Sequence, residues 1–156
     1  MTESLTLPHQ PYAEAVAYID GPGGPYAPDD WFTERGTDRR LMATFLYRRT
    51  EPMIVQRNTF DVSVDPVVNA EAWPYGVELY WDSVDGWQYA GLTGEDGDVD
   101  FYEPLPVAKL ASPAALRAAL VPLLDGREDE IPASTEKWQQ PQAQTLLQML
   151  ESGTCV

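Results

Sequence analysis

The chain has 156 residues, with 25 acidic and 10 basic side chains, so its formal net charge is −15 at pH 7. This charge argues against general binding of nucleic acids or of anionic membranes, because both need clustered Lys and Arg side chains. A hydrophobic content of 44% and five tryptophans suffice for the core of one domain, so we do not expect a disordered acidic chain.

The single histidine and the single cysteine restrict the catalytic options. His9 precedes the first predicted helix, and we expect it to be a solvated residue of a flexible tail over residues 1–10. A Ser-His-Asp or Cys-His arrangement would have to use His9, so neither is expected. A zinc site with N and S ligands is not expected either, because His9 and Cys155 lie at opposite ends of the chain. Residues 1–6 lack the features of a signal peptide, and no apolar stretch is long enough to span a membrane. With one cysteine and no internal disulfide, the expected location is the cytoplasm.

The first predicted element is a helix over residues 11–19. It begins with a proline and places Tyr12, Val16 and Ile19 on one side. Residues 21–25, which are rich in Gly and Pro, end it. They lack the Gly-Lys-Ser/Thr ending of a phosphate-binding loop, and their prolines remove amide donors, so we interpret them as a breaker.

Strand patterns dominate the middle of the chain. The apolar run Leu41–Tyr47 predicts a buried strand, and shorter strands are expected at residues 53–55 and 59–65. In the last of these, alternation predicts inward side chains at Phe60, Val62 and Val64.

The clearest predicted hairpin joins residues 77–82 to residues 87–92. Asp85-Gly86 is a favoured two-residue turn, and the resulting register pairs Trp81 with Ala90 on the core face. A longer loop would shift the register and exchange the two faces. With the two-residue turn, the exposed face carries Glu78, Tyr80, Asp82, Trp87 and Tyr89, unless a helix covers it.

The last part of the chain is predicted to be mainly helical, after a short strand at residues 99–102. Ser112 and Pro113 predict the N-cap and first turn of a helix that ends at Asp125-Gly126. Its apolar stripe is Leu116, Ala119, Leu120, Leu123 and Leu124. Further helices are expected at 135–140 and 142–151. The predicted fold class is therefore α+β: a single domain over residues 11–153, with an antiparallel β-sheet and helices packed on one face.

Several of these features occur together in a known family. Trp81-Asp82, Gly86-Trp87, Pro104-Leu105-Pro106 and the helix start at Ser112-Pro113 resemble a family of small actinobacterial proteins of unknown function. That family pairs an N-terminal helix with a "WD…GW" hairpin and a proline-led helix. The resemblance covers residues 76–126, with a further similarity at 12–19. It implies the fold and a bacterial origin, and it implies no catalytic residues.

Charge is unevenly distributed along the chain. Residues 35–57 contain six of the ten basic residues and two carboxylates, whereas residues 61–103 contain eleven carboxylates and no Lys or Arg. Pairing between neighbouring strands would explain this pattern without a partner. A second explanation is a homodimer in which the basic edge of one copy meets the acidic face of another. A third is an acidic surface that mimics nucleic-acid phosphates in a basic cleft of another protein.

Two groups of carboxylates have the spacing of a metal site or of an acid–base pair. Asp96, Asp98 and Asp100 have the spacing of a calcium loop, but Phe101 and Val107 stand where that loop needs Gly and Glu. We therefore expect a solvated turn and no bound metal or cofactor. Pairs such as Asp82 and Asp85 could serve acid–base catalysis only in a cleft that separates their pKa values.

The sequence thus predicts a non-enzymatic, cytoplasmic module of bacterial, phage or mobile-element origin that binds another protein or a second copy of itself. We expect no direct contact with nucleic acid or membrane. The alternatives are an acidic mimic of nucleic acid that inhibits a DNA- or RNA-binding protein, and a small carboxylate-dependent hydrolase or ligand-binding domain. The expected contact residues are Tyr80, Asp82, Asp85, Trp87, Tyr89, Arg39, Arg40, Arg48 and Arg49.

Overall fold

The computed structural model describes residues 9–18, 26–36, 40–64, 66–94 and 98–139. These residues form two α-helices, seven β-strands and one 3₁₀ helix. The elements in chain order are α1 (Gln10–Ala17), β1 (Asp30–Arg35), β2 (Leu41–Tyr47), β3 (Met53–Arg57), β4 (Phe60–Val64), β5 (Val77–Asp82), β6 (Gly86–Gly91), β7 (Glu103–Pro104), α2 (Pro113–Leu124) and the 3₁₀ helix Glu128–Glu130.

Five strands form one antiparallel sheet in the order β1-β2-β5-β6-β7. The predicted strand Leu41–Tyr47 lies in the second position, and the edge strand β1 was not foreseen. The sequence of β1 gives a weak signal because its exposed side chains include charged residues at both ends. The α+β fold class is confirmed.

One face of the sheet, the inner face, packs with both helices in a single core. The hydroxyl of Tyr12 on α1 donates to the carbonyl of Ala111 at 2.6 Å and accepts a bond from Nε1 of Trp87 at 3.0 Å. The ring of Tyr12 also meets Trp81 edge-on at 5.8 Å between centroids. These contacts join the N-terminal helix to β5, β6 and the segment before α2. The sheet contributes Leu41, Ala43, Phe45, Tyr47, Val77, Leu79, Trp81, Trp87 and Tyr89 to this core.

The second helix begins and ends as predicted. The Ser112 hydroxyl accepts the amide of Ala115 at 3.1 Å, which satisfies one of the free donors of the first turn. At the other end Gly126 has φ of +83°, the left-handed conformation that commonly ends helices. The predicted apolar stripe is buried throughout: Leu116, Ala119, Leu120, Leu123 and Leu124.

The predicted register of the β5–β6 hairpin is wrong. The loop has three residues, 83–85, so Asp82 pairs with Gly86 and Trp81 with Trp87. The carboxylate of Asp82 accepts the amides of Val84 and Asp85 at 2.8 and 2.6 Å, which holds the loop at residues 83–85 instead of the predicted 85–86. Gly86 then takes φ of +80° as the bulge residue of a three-residue hairpin loop.

This shift moves two predicted surface residues into the core. Trp87 is 2% exposed and Tyr89 is 8% exposed, so the expectation that they lie on an open face is wrong. The partner of Trp81 moves by three positions, from Ala90 to Trp87, and a shift by an odd number of residues exchanges the two faces of the strand. Tyr80 stays on the opposite face of the sheet, the outer face, together with Thr44, Leu46, Glu78, Asp82 and Ala90.

Strands β3 and β4 form a separate two-stranded hairpin, the hairpin arm (residues 53–64). Its two-residue turn contains Asn58 at φ of +57°. Among the described residues, β4 pairs only with β3 and not with the five-stranded sheet. The prediction that Phe60 and Val62 point inward is therefore wrong, because both are exposed. The side chain of Val64 lies outside what the structure describes.

Two predictions near the chain ends also need revision. His9 is fully buried instead of solvated: its Nε2 donates to the carbonyl of Met42 at 2.7 Å and its ring stacks on Trp81. Residues 134–139 contain isolated bridges at Ser134 and Lys137 and no helical turn, so the helix expected at 135–140 does not form over its described residues. The predicted helix at 142–151 lies outside the described residues.

Candidate functional site

Four of the nine predicted contact residues meet near the β5–β6 turn. Nη1 of Arg40 lies 3.4 Å from Oδ2 of Asp82 and 3.6 Å from Oδ2 of Asp85. Asp82 is buried and caps the turn, so its role is structural. Arg40 is thus engaged with neighbouring carboxylates, as the explanation by local pairing predicts. Tyr80 lies on the same face and is half-buried.

Tyr80 belongs to a small polar cluster on the outer face. Its ring packs on Tyr102 at 5.2 Å between centroids, and the Tyr102 hydroxyl donates to the carboxylate of Glu78. Burial raises the pKa of Glu78, while the bond from Tyr102 and the charge of Arg48 oppose this change. Burial, with the nearby Asp82 carboxylate, raises the pKa of Tyr80 to about 12. Tyr102 thus lies over both Glu78 and Tyr80 on the outer face.

Arg48 acts on this cluster through the effect of its charge on Glu78, whereas its backbone is held from another side. The backbone amides of Arg48 and Arg49 donate to Oδ2 of Asp29 at 2.5 and 3.0 Å, which anchors the segment before the hairpin arm. The side chain of Arg48 is exposed. Arg39 lies outside the described residues. With Trp87 and Tyr89 in the core, the nine residues do not form one surface.

A cleft of about 320 Å³ opens beside the end of β6. Its walls include the rings of Trp73, Tyr89 and Phe101, and Trp73 meets Tyr89 edge-on at 6.4 Å with an interplanar angle of 85°. The acidic residues around it are Asp100, Glu103 and Glu128, and its lining within the described ranges includes no Lys, Arg or His. The register places Glu103 of β7 directly opposite Tyr89 of β6.

Trp73 is held firmly in this cleft. Its Nε1 donates to the carbonyl of Leu123 at 2.7 Å, and its backbone amide donates to the carbonyl of Asn69 at 2.8 Å. The ring lies against Gly91, where a Cβ would be only 2.9 Å from Cζ3 of Trp73. Glycine at position 91 therefore lets the ring lie on the strand, and the end of α2 fixes its orientation.

Electrostatics in the cleft are dominated by negative charge. Burial, followed by the neighbouring Glu128 carboxylate, raises the pKa of Tyr89 to about 12, so the phenol stays neutral. Arg127, which precedes Glu128 in the sequence, is engaged elsewhere: its Nε lies 2.7 Å from Asp125 and its Nη1 lies 3.3 Å from Glu130. The three carboxylates of the cleft are therefore left without a cationic neighbour in its lining.

Sequence reasoning did not foresee this cleft. Trp73 and Glu128 are 55 positions apart in the sequence, and no element was predicted at either position. The only local signal is Gly91 within an otherwise aromatic strand, since an isolated glycine in a strand often marks close approach of another group.

The structure offers no metal centre within the ranges it describes: no three His, Cys, Asp or Glu side chains are close enough together to hold an ion. Asp96, one of the three residues with calcium-loop spacing, lies outside those ranges. Within the same part of the chain, neither α1 nor α2 is long and apolar enough to cross a membrane.

Comparison with known proteins gives no further guide to this site: no family model matches the chain, and no curated protein or solved structure is significantly similar to it. The resemblance to an actinobacterial family therefore stays a prediction.

Proposed function

We propose that this protein is a non-enzymatic interaction module that binds another protein through the hairpin arm. One observation supports this proposal above the others. Phe60 and Val62 share one face of β4 and are 68% and 37% exposed, on an arm whose strands do not pair with the main sheet among the described residues. Large apolar side chains grouped on a surface are typical of sites that contact other proteins.

The arm also has the backbone properties of a binding element. A two-stranded hairpin by itself is at best marginally stable in water, and it becomes stable when its apolar side packs against another layer. Within the described chain, both edges of the arm carry unpaired N–H and C=O groups. Such edges accept an added strand, as in β-augmentation. A partner could therefore supply both the apolar layer and the hydrogen bonds.

The base of the arm supports contact with an acidic surface. The exposed side chain of Arg48 lies where the chain leaves β2, and the backbone here is held by Asp29. Opposite charges at the rim of an interface accelerate association and set orientation more than they add affinity. The acidic surface of a second copy is one such partner, so self-association is part of the test.

The experiment places a photo-crosslinking amino acid, p-benzoylphenylalanine, at position 60 in the native host. The matched control places it at position 84, because Val84 is also an exposed apolar residue on a hairpin turn of the same protein. We expect a crosslinked species of defined mass from position 60 and none from position 84. Mass spectrometry then identifies the species as a second copy or as another protein.

A double substitution, Phe60→Ser with Val62→Ser, tests the same surface without a crosslinker, because the two side chains share one face of β4. We expect it to abolish the complex or the self-association seen by sedimentation velocity, while the Val84→Ser control keeps it. Thermal melting of both variants should stay close to that of the unaltered protein, since these side chains are exposed. Equal crosslinking from both positions, or unchanged association of the double variant, would refute the proposal.

A further inference from the structure

We propose that the cleft between Trp73, Tyr89 and Glu128 binds an organic cation of the guanidinium or ammonium class. The cation would come from an Arg or Lys side chain of another polypeptide or from a free amine. This site uses none of the residues of the hairpin arm, so the inference goes beyond the proposed function and does not depend on it.

The aromatic walls supply the first half of the recognition. Cations are attracted to the faces of Trp and Tyr rings because the ring quadrupole is negative there. Trp73 and Tyr89 stand nearly perpendicular, at 85°, so the two rings present surfaces in different directions around the cleft. Phe101 adds a third ring at the rim, where it is exposed.

The carboxylates of the cleft supply the second part of the recognition of a cation. Asp100, Glu103 and Glu128 come from three separate segments and border the same cleft. An anionic ligand would meet like charge at each of these residues, whereas a cation gains three favourable interactions. A guanidinium group can also donate two parallel hydrogen bonds to one carboxylate.

The rigidity of the walls favours binding, because the binding free energy is not spent on ordering the site. Trp73 is bonded to the end of α2 through its Nε1 and rests on Gly91. Tyr89 is a buried residue of the central sheet. The volume of about 320 Å³ lies at the lower end of the range for ligand pockets, which suits a side-chain head group.

An organic cation fits this cleft better than a metal ion. Within the described chain the carboxylates are not close enough together to form a metal site. The aromatic rings provide no oxygen ligands of the kind that hard cations require. They do provide favourable surfaces for a diffuse charge such as guanidinium, which is weakly hydrated.

The test uses the acetylated and amidated peptide Gly-Gly-Arg-Gly-Gly, its citrulline counterpart and agmatine. Citrulline has nearly the same shape as arginine and no charge, and agmatine is a free amine with the guanidinium group. Binding is followed by the indole N–H resonance of Trp73 in nitrogen–proton correlation spectra, assigned with Trp73→Phe. We expect the arginine peptide to move this resonance saturably and the citrulline peptide to leave it unchanged.

Two matched pairs of variants separate the effect of the carboxylates in the cleft from the effect of the net charge of the protein. Glu103→Gln with Glu128→Gln removes two carboxylates of the cleft, and Glu34→Gln with Asp129→Asn removes two exposed carboxylates that do not line it. We expect the first pair to weaken binding of the arginine peptide about tenfold and the second to change it less than about twofold.

The relative affinities of the peptide and agmatine identify the source of the cation. Tighter binding of the peptide indicates a protein side chain, and tighter binding of agmatine indicates a free amine. The proposal is overturned if the Trp73 resonance does not move at about 10 mM ligand, a concentration that would nearly saturate a site with Kd of 1 mM. Equal binding of the citrulline peptide, or equal weakening by both pairs of variants, would also overturn it.

Discussion

The ring of Trp73 occupies the space that a side chain at position 91 would need: a Cβ on Gly91 would lie 2.9 Å from Cζ3 and 3.0 Å from Cε3 of that ring. Such distances are too short for carbon atoms in contact, so one group has to move. Trp73 cannot move freely, because its Nε1 is bonded to the carbonyl of Leu123. The pair thus links β6, the segment before β5 and the end of α2.

Gly91→Ala should therefore destabilise the protein, although alanine is normally better than glycine in a strand. Overpacking of this kind costs about 1–3 kcal/mol, which outweighs the gain of about 0.5–1 kcal/mol from replacing a strand glycine. Chemical denaturation measures the change in the free energy of unfolding. In a Trp73→Ala background the same substitution should be neutral or stabilising, because the clash is gone. An equal cost in both backgrounds would show that the ring of Trp73 is not what requires glycine.

Truncation of Trp87 should lower the free energy of unfolding much more than truncation of Tyr80. This difference tests the observed hairpin register directly. Trp87→Ala should lower the free energy of unfolding by about 3–5 kcal/mol, because it empties a core site and removes the bond to the Tyr12 hydroxyl. Tyr80→Ala, on the outer face, should cost about 1 kcal/mol. Urea denaturation of both variants provides the comparison. Similar small costs for the two residues would favour the register with a two-residue turn.

His9 should make the stability of the protein depend on pH below neutrality. Burial lowers the pKa of His9 from its usual 6.5, and the charge of Arg35 adds to this, while the bond to Met42 opposes it. The unfolded state therefore binds the proton more readily than the folded state. Above pH 6.5 the contribution is fully present, and it is lost as the pH falls from 6.5 through the lowered folded-state pKa.

The expected slope is at most about 1.4 kcal/mol per pH unit. Denaturation of the unaltered protein and of His9→Phe from pH 8 to pH 5 measures it as a difference. Glu78 has the opposite sign: burial raises its pKa above 4.5, so its contribution is lost as the pH rises. Because both proteins contain Glu78, its effect cancels in the difference. Parallel curves for the two proteins would show that His9 titrates normally in the folded state.

Local sequence patterns correctly predicted the elements that are determined by neighbouring residues in the chain. Leu41–Tyr47 is apolar along most of its length because it lies in the middle of the sheet. Ser112 and Gly126 could be assigned as helix ends because caps depend on neighbouring backbone groups. In each case the interactions that determine the structure lie within a few positions of one another.

The prediction of the β5–β6 register was wrong because two turns compete in this hairpin. Asp85-Gly86 is a good two-residue turn, but the carboxylate of Asp82 binds two loop amides and favours a loop of three residues. The two loops differ in length by one residue, and the registers that they impose differ by three positions. Packing of Trp87 against Tyr12, which is 75 positions away, favours the observed face.

By itself, the sequence determined the α+β class, the second helix with both of its caps, and the uneven distribution of charge. Only the tertiary structure decided which aromatic residues are buried, how Arg40 is paired, and that three carboxylates and three rings border one cleft. The physical reason is the range of the interactions. Caps and alternation are short-range properties of the chain, whereas the cleft requires Trp73, Glu103 and Glu128 to meet at the end of β6.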